Sequence, residues 1–364
     1  MRILIYLGHP AHFHLFKNVI NSLQKKGCDV LILIKKKDVL EELLINKGLK
    51  YHNILAEGRK DSKIGIMWGT IKRAYRLLRF VVNNRPSLLV GTSVENSWIG
   101  KIMNIPVINV NEDDAKIVPL YAKLSYPFAS EILSPITCNN GKWEQKSIKY
   151  AGFQKLAYLH PNQFKPDIEI VKRYLPIDKP YFLLRFAKLN AHHDVGANGI
   201  STKVAQNLID ILSKYGNIYI TTERELELQF EKYRLNINPL DIHHIMASAK
   251  LYIGDSQSMA VEAAMLGVPS IRFNSFAGKI GVLEELENKY ELTHSISPNY
   301  PEELYRFVYN LLSQENLRDT YQSRRKRMLA DKIDVTAFFT WFIENYPESK
   351  KIIKENPDYQ YRFK

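Results

Sequence analysis

Two doubly wound α/β domains are what this sequence predicts, and three observations carry the prediction. Apolar runs of strand length alternate with helical apolar spacing over most of the chain, the pattern that builds parallel sheets covered by helices on both faces. The alternation loosens once, in a stretch punctuated by Pro161, Pro166, Pro176 and Pro180, and then restarts. At 364 residues the chain suits two domains better than a single core.

Taken in order, Arg2 to Leu7 reads as the first strand. A helix follows, with Leu15, Phe16, Val19, Ile20 and Leu23 on one face and Gly27 as its cap. Asp29 to Ile34 is the next strand, Asp38 to Asn46 the next helix, and Ser87 to Val90 and Pro106 to Val110 are further strands. The acidic run Asn111-Glu112-Asp113-Asp114 then precedes a helix expected near Ala115. In the second half the strands are Tyr181 to Phe186, Asn217 to Thr221, Lys250 to Gly254 and Pro269 to Phe273. The expected boundaries are therefore 1–160 and 161–333, with 334–364 as a helix and a basic tail, loose at its end. Two such domains facing each other make a cleft, the usual place for a ligand.

Composition narrows the class. With 45% hydrophobic and 24% charged residues the chain is globular, neither collagen-like nor disordered. Its two cysteines, Cys28 and Cys138, lie far apart and outside any metal-ligand spacing, which suits a reducing cytosol. The apolar run Ile3 to Leu7 is too short for a signal-peptide core, and no run reaches the length of a membrane span. The formal charge, 51 − 38 = +13, points to an anionic partner: nucleic acid, a phosphorylated small molecule or an acidic membrane face. Nucleic acid is the weakest of these, because no RNP, zinc-finger or helix-turn-helix signature accompanies the charge.

The segment GDSQSMAVEAAMLGVPSI, from Gly254 to Ile271, carries the most chemistry. A strand ends at Gly254, a polar turn follows, and a helix starting near Ser256 stops at Gly267. The first amides of such a helix have no intrahelical partners and lie at the sheet's carboxyl edge, where they can hold phosphate oxygens with the helix dipole behind them. Glu262 stands one to two turns in, where a carboxylate can accept two hydrogen bonds from a ribose diol. The alternative is an ordinary turn capped by Ser256, with Glu262 on a solvated face.

That segment resembles the donor-nucleotide motif of GT-B glycosyltransferases, and MRILIYLGHPAHFHLFKNVINSLQKKGCDV is similar to the first strand, loop and helix of that superfamily. More narrowly, PAHFHLF, YAGFQKLAYLHPNQFKPD, LLRFAKLNAHHD and the run from Asp241 through Pro269 resemble the family designated domain of unknown function 354, whose members are predicted glycosyltransferases of surface polysaccharide assembly. The resemblance covers most of residues 1 to 290. It implies a GT-B-like fold of two Rossmann-type domains facing a central cleft. It also implies a donor site at Ser256, Gln257, Ser258 and Met259, with Glu262 on the ribose and Asp241, His243 and His244 lining the base pocket. The loop Gly8-His9-Pro10-Ala11-His12 departs from the glycine-rich version of the superfamily, which suits contact with the acceptor better than with phosphate.

Several residues are candidates for the reaction. His12 and His14 flank the first helix start, and a histidine titrates near working pH without large tuning, as a base for an acceptor hydroxyl needs. Either could equally be a cap or a packed side chain. Asp113, in the acidic run behind a strand, is a second candidate base; the alternative is a solvated loop that caps a helix. Arg185, a charge inside YFLLRF, could bridge two diphosphate oxygens as a fork or be a surface ion-pair residue, and His193-Asp194 follows in the loop. No DxD segment of the metal-holding kind is present, so neither a metal nor another cofactor is expected.

The leading reading is thus a cytoplasmic, metal-independent transferase that moves a sugar from a nucleotide donor, a UDP-sugar first among them, to a glycan or lipid-linked acceptor. A UDP-N-acetylglucosamine 2-epimerase-like isomerase is the alternative. The segment Ser62 to Phe80 adds a membrane expectation. Ile64, Met67, Trp68, Ile71, Tyr75 and Leu78 recur at helical spacing beside Lys63, Lys72, Arg73, Arg76 and Arg79, as in a helix lying on an anionic bilayer. The alternative is an apolar stripe packed into the core.

Overall fold

The computed structural model describes residues 1–35, 39–55, 63–187, 199–274 and 280–364, and for 63–68 the backbone alone. The chain divides into two compact units, Met1–Gln163 with Lys332–Lys364, and Phe164–Asp331. Ser62, His193 and Asp194 lie outside the described residues, as do the side chains of Lys63, Ile64, Met67 and Trp68.

The first unit is built on β1 (Arg2–Leu7), β2 (Asp29–Ile34), β3 (His52–Asn53), β4 (Leu88–Gly91), β5 (Val107–Val110), β6 (Glu131–Pro135) and β7 (Ser147–Tyr150). Their order in the sheet is β3-β2-β1-β4-β5-β6-β7, with every neighbouring pair parallel. Ile3 through Leu7 are buried on both faces, as the near-continuous apolar run of a central parallel strand requires. The helices are α1 (Pro10–Lys25), α2 (Leu40–Asn46), α3 (Lys63–Asn84), α4 (Val94–Met103), α5 (Pro119–Ser125) and α6 (Leu156–Leu159). Right-handed crossovers place helices that step towards the β3 edge on one face and helices that step away from it on the other. In agreement, α1 packs on α2, whereas α3 packs on α4 and α4 on α5.

The second unit has β8 (Tyr181–Phe186), β9 (Asn217–Thr222), β10 (Leu251–Gly254), β11 (Ser270–Phe273) and β12 (Thr293–Ile296), in the order β12-β11-β10-β8-β9 and again parallel. Its helices are α7 (Ile168–Lys172), α8 (Thr202–Leu212), α9 (Ile242–Ser248), α10 (Gln257–Met265), α11 (Gly281–Glu284), α12 (Pro301–Leu312) and α13 (Leu317–Asp331). Each sheet reverses its strand order once, between β1 and β4 in the first unit and between β8 and β10 in the second. The carboxyl ends of the strands at such a reversal are where open α/β sheets bind ligands.

The chain then returns to the first unit with α14 (Val335–Glu344) and α15 (Glu348–Glu355). The end expected to be loose is packed. α14 lies on α1, Lys350 pairs with the fully buried Glu131 of β6, and Gln360 accepts a hydrogen bond from the Ala151 amide at 2.5 Å. The helix expected near Ala115 begins instead at Pro119, a residue favoured at the first helical position, and Asp114 closes a turn by accepting from the Ile117 amide. On α3, Leu77 and Val81 are buried and Leu78 and Phe80 pack against the same core, whereas Ile71 and Tyr75 of the expected stripe face outward. Among the described residues no helix is long and apolar enough to cross a membrane.

Candidate functional site

At the reversal point of the first sheet, Pro10 opens α1 while His9 caps it, accepting from the Ala11 amide at 3.2 Å. Pairing of Tyr6 with Gly91 brings the start of α1 beside the end of β4. His12 Nδ1 accepts the Gly8 amide at 3.1 Å, and Thr92 Oγ1 stands 2.8 Å from Nε2. Burial, then the positive charges of His9, Lys35 and Lys155, drive His12 down to about 3, so the ring is neutral at physiological pH. With Nδ1 occupied by the amide, the neutral ring carries its proton on Nε2. In this arrangement its second nitrogen is a donor, and the expectation that His12 titrates near working pH is not met, because burial holds the ring neutral.

Glu112, behind β5, pairs with Lys155 and accepts the Gln154 amide at 3.1 Å. Asp113 is half-buried in the same loop, and Asp114 accepts from the Asn139 amide at 2.6 Å. The His14 ring packs 5.3 Å from both Phe13 and Tyr158. Near Tyr6 of β1 lies a buried ion pair that the sequence did not announce: Arg73 Nε donates to Glu95 Oε1 at 2.5 Å. Burial, and next the Glu95 charge, push the Tyr6 phenol well above its ordinary range. Arg76 donates to the Ile54 carbonyl at 2.8 Å. Two of the cations expected to face a membrane, Arg73 and Arg76, are therefore spent inside the unit.

At the reversal point of the second sheet, Gly254 ends β10 in register with Arg185 of β8 and Arg272 of β11. A Cβ at Gly254 would lie 2.5 Å from the Tyr252 hydroxyl and 2.8 Å from Arg185 Cβ, so only glycine fits. Asp255 is buried and ties the edge together. Its carboxylate accepts the Ala187 amide at 2.6 Å and the Ile200 amide at 3.3 Å, and its carbonyl accepts from Asn274 at 3.1 Å. Burial raises its pKa against the pull of these amides and of Arg224. Ser256 caps α10, accepting from the Met259 amide at 3.5 Å. Gln257 and Met259 are half-buried and Ser258 is exposed on the open first turn, which carries no acidic residue.

Glu262 is not on a solvated face. It is 8% exposed, with its Oε2 3.5 Å from His243 Nε2. Asp241 accepts from the Tyr174 hydroxyl at 2.7 Å, and His244 accepts from the Asp167 amide at 3.0 Å. Arg185 is ion-paired with Glu223. The far end of α10 is fastened by α13. Arg325 donates to the Met265 carbonyl at 2.6 Å, and Gln322 donates to the carbonyls of Leu266 and Gly267 at 2.9 and 3.0 Å. Those carbonyls have no intrahelical partner, so the contacts fix the helix that carries Glu262.

Sequence reasoning passed over Thr92, the Arg73–Glu95 pair, Asp255, Arg224 and Arg272. Arg224 donates to the Ile200 carbonyl at 2.7 Å beside the Phe186 ring; Arg272 is fully buried and donates to Ser295 at 2.8 Å. One signal was available. Gly91-Thr92-Ser93 and Gly254-Asp255-Ser256 repeat the same pattern at the ends of two strands.

Residues 1–294 match the family described as "Protein of unknown function (DUF354)". No curated protein sequence matches the chain. Among solved structures, the chain is similar to Staphylococcus aureus MnaA in its UDP co-structure (TM-score 0.69, 14% identity, 96% of this chain and 97% of that one). It is also similar to the spinosyn rhamnosyltransferase SpnG complexed with spinosyn aglycone (TM-score 0.60, 14% identity, 95% and 100%). A third likeness is to the UDP-GlcNAc 2-epimerase of Methanocaldococcus jannaschii (TM-score 0.63, 16% identity, 90% and 99%). The two parallel sheets are those of the GT-B fold.

Proposed function

The chain belongs to the DUF354 family, and from that premise we propose that it is a GT-B glycosyltransferase. It moves a sugar from a nucleotide-sugar donor, a UDP-sugar first among them, to a glycan or lipid-linked acceptor in surface polysaccharide biosynthesis. The observation that carries this reading is the open, acid-free first turn of α10 at the reversal point of the second sheet, with the buried Glu262 behind it. The neighbours solved with UDP and with a spinosyn aglycone support it.

In this reading the diphosphate lies against the amides of Gln257 and Ser258, and Arg185 exchanges Glu223 for phosphate oxygens. Arg185 and the helix dipole then stabilise the charge that builds on the departing nucleotide, without a metal. Glu262 holds the ribose, Asp241 and His243 border the base, and Met259 flanks the donor; His193, which lies outside the described residues, remains a donor-binding candidate from the resemblance alone. The donor belongs to residues 161–333 and the acceptor to 1–160, with 334–364 appended to the latter. The acceptor proton goes to His12, His14 or Asp113; His12 can take it at Nδ1 only by giving up the Gly8 amide. The protein works in the cytoplasm, peripheral at the inner face of the membrane.

A thermal-shift screen over UDP, GDP, CDP and their sugars tests the donor. A ligand at a hundredfold over its Kd stabilises the fold by about 2.7 kcal/mol, and the UDP series is expected to do so. A flat response to every nucleotide contradicts the reading, and loss of turnover in EDTA contradicts its metal independence. The epimerase alternative is favoured by the 2-epimerases among the structural neighbours. A nucleotide sugar isomerised with no acceptor present would establish it instead.

A further inference from the structure

We propose that the helical layer formed by α3, α4 and α5 docks on an anionic lipid bilayer. The proposal rests on the glycosyltransferase reading only for the lipid-linked acceptor that docking would bring within reach. The sequence pattern confined the membrane expectation to one helix, two of whose cations turn out to be held inside the unit. What the fold supplies instead is a surface three helices wide. Ile71, Tyr75 and Val82 on α3, Ile102 on α4, and Leu120 and Leu124 on α5 are all exposed, Ile102 and Leu120 by 67% and 68%. Neighbouring helix axes lie about 10 Å apart, so these side chains spread over a layer about 20 Å wide. The 22 residues of α3 run about 33 Å along it.

The charge on this layer has one sign. Lys72 and Arg79 on α3, Lys101 on α4 and Lys123 on α5 are exposed. α3 and α5 contain no aspartate or glutamate, and the single acidic residue of α4, Glu95, is buried on Arg73. A helix layer that merely faces water mixes both signs and keeps large apolar side chains scattered. Among the described residues of these three helices, the exposed apolar tips stand beside exposed cations and no exposed acid, the composition of surfaces that sit at the headgroup level of acidic membranes. The opposite layer of the same sheet shows the contrast, since α14 covers α1 there. A broad layer of parallel helices suits a plane, and its uniform positive charge selects an anionic one.

Flotation of the full chain with phosphatidylcholine vesicles, with and without phosphatidylglycerol, tests the proposal. Two variants are compared with the parent chain: Lys72, Arg79, Lys101 and Lys123 all changed to Gln, and Ile71, Tyr75, Ile102 and Leu120 all changed to Ser. All eight positions are exposed, and circular dichroism melting checks that each variant folds. The parent should float with the anionic vesicles, lose binding at high salt, and bind at least about tenfold more tightly than either variant. Recovery of either variant equal to the parent, or no flotation of the parent, overturns the proposal. So does sedimentation showing a parent dimer that the Ser variant dissociates, since a second copy would then cover the face. UDP-induced stabilisation, read on the same three proteins, is independent of this layer: its absence with flotation intact would sink the enzyme reading and leave the docking surface standing.

Discussion

At the reversal point of each sheet a strand runs into a helix through Gly-X-Ser, and the two junctions share their backbone logic. Gly91 and Gly254 both sit where a Cβ would collide, with the Tyr6 carbonyl at 2.7 Å and the Tyr252 hydroxyl at 2.5 Å respectively. Ser93 and Ser256 both cap the helix that follows. They differ two residues later, where α4 has Glu95 and α10 has Ser258. α4 carries Glu95 in its first turn, buried against Arg73, so the positive end of that helix already has its anion. α10 carries no acid there, and its glutamate, Glu262, lies further in beside His243. Similar turns thus lead into one helix whose first turn holds a buried, ion-paired carboxylate and another whose first turn holds none, and in the proposed reading that difference leaves the α10 junction free to take the donor's phosphates.

The largest effect that would break this comparison is expected at Glu95. Glu95→Ala leaves the Arg73 guanidinium buried and unpaired and should cost about 3 to 5 kcal/mol of stability in urea unfolding, whereas Glu262→Ala should cost only about 1 kcal/mol. Equal costs would mean that the two glutamates do the same job. Next in size is His12→Ala, which should lower turnover on the true acceptor by about 100-fold while nucleotide binding persists. If steady-state kinetics show near-parental turnover, Asp113→Asn becomes the informative variant.

A smaller effect concerns acid. His12 is held at about 3 in the folded protein against 6.5 ordinarily, so between these values the unfolded chain binds a proton that the folded one does not. Stability should therefore fall as pH drops below about 6.5, by up to about 1.4 kcal/mol per pH unit from this group. Equilibrium unfolding of His12→Gln across that range should show a slope shallower by one proton. An unchanged slope would place His12 in water.

Much of the architecture was legible because central parallel strands must be apolar on both faces. Arg2 to Leu7, Asp29 to Ile34 and Tyr181 to Phe186 are strands with the bounds their composition implies. β6, β7 and β12 were missed because Glu131, Lys149 and His294 interrupt them; Glu131 is tolerated only because Lys350, more than two hundred residues later, neutralises it. The Gly254 junction was legible from its local pattern. What the pattern could not supply was long-range pairing: Thr92 against His12, Arg73 against Glu95 and Glu223 against Arg185 depend on strand order, which no local spacing encodes. On α3 the expected stripe divides, Ile71 and Tyr75 facing outward while Leu78 packs on the core, and Arg73 and Arg76 find partners within the unit, because the helical period identifies a face but not the neighbour that covers it.

The central claim is that the α10 junction, unlike the α4 junction, is the nucleotide site, and calorimetric titration of UDP into the parent chain and Glu262→Ala tests it most directly. Loss of a hydrogen bond to a charged group is worth about 1.5 to 3 kcal/mol, so affinity should fall by about ten- to a hundredfold in a variant that melts like a folded protein. UDP binding of equal strength in the two proteins would contradict the account.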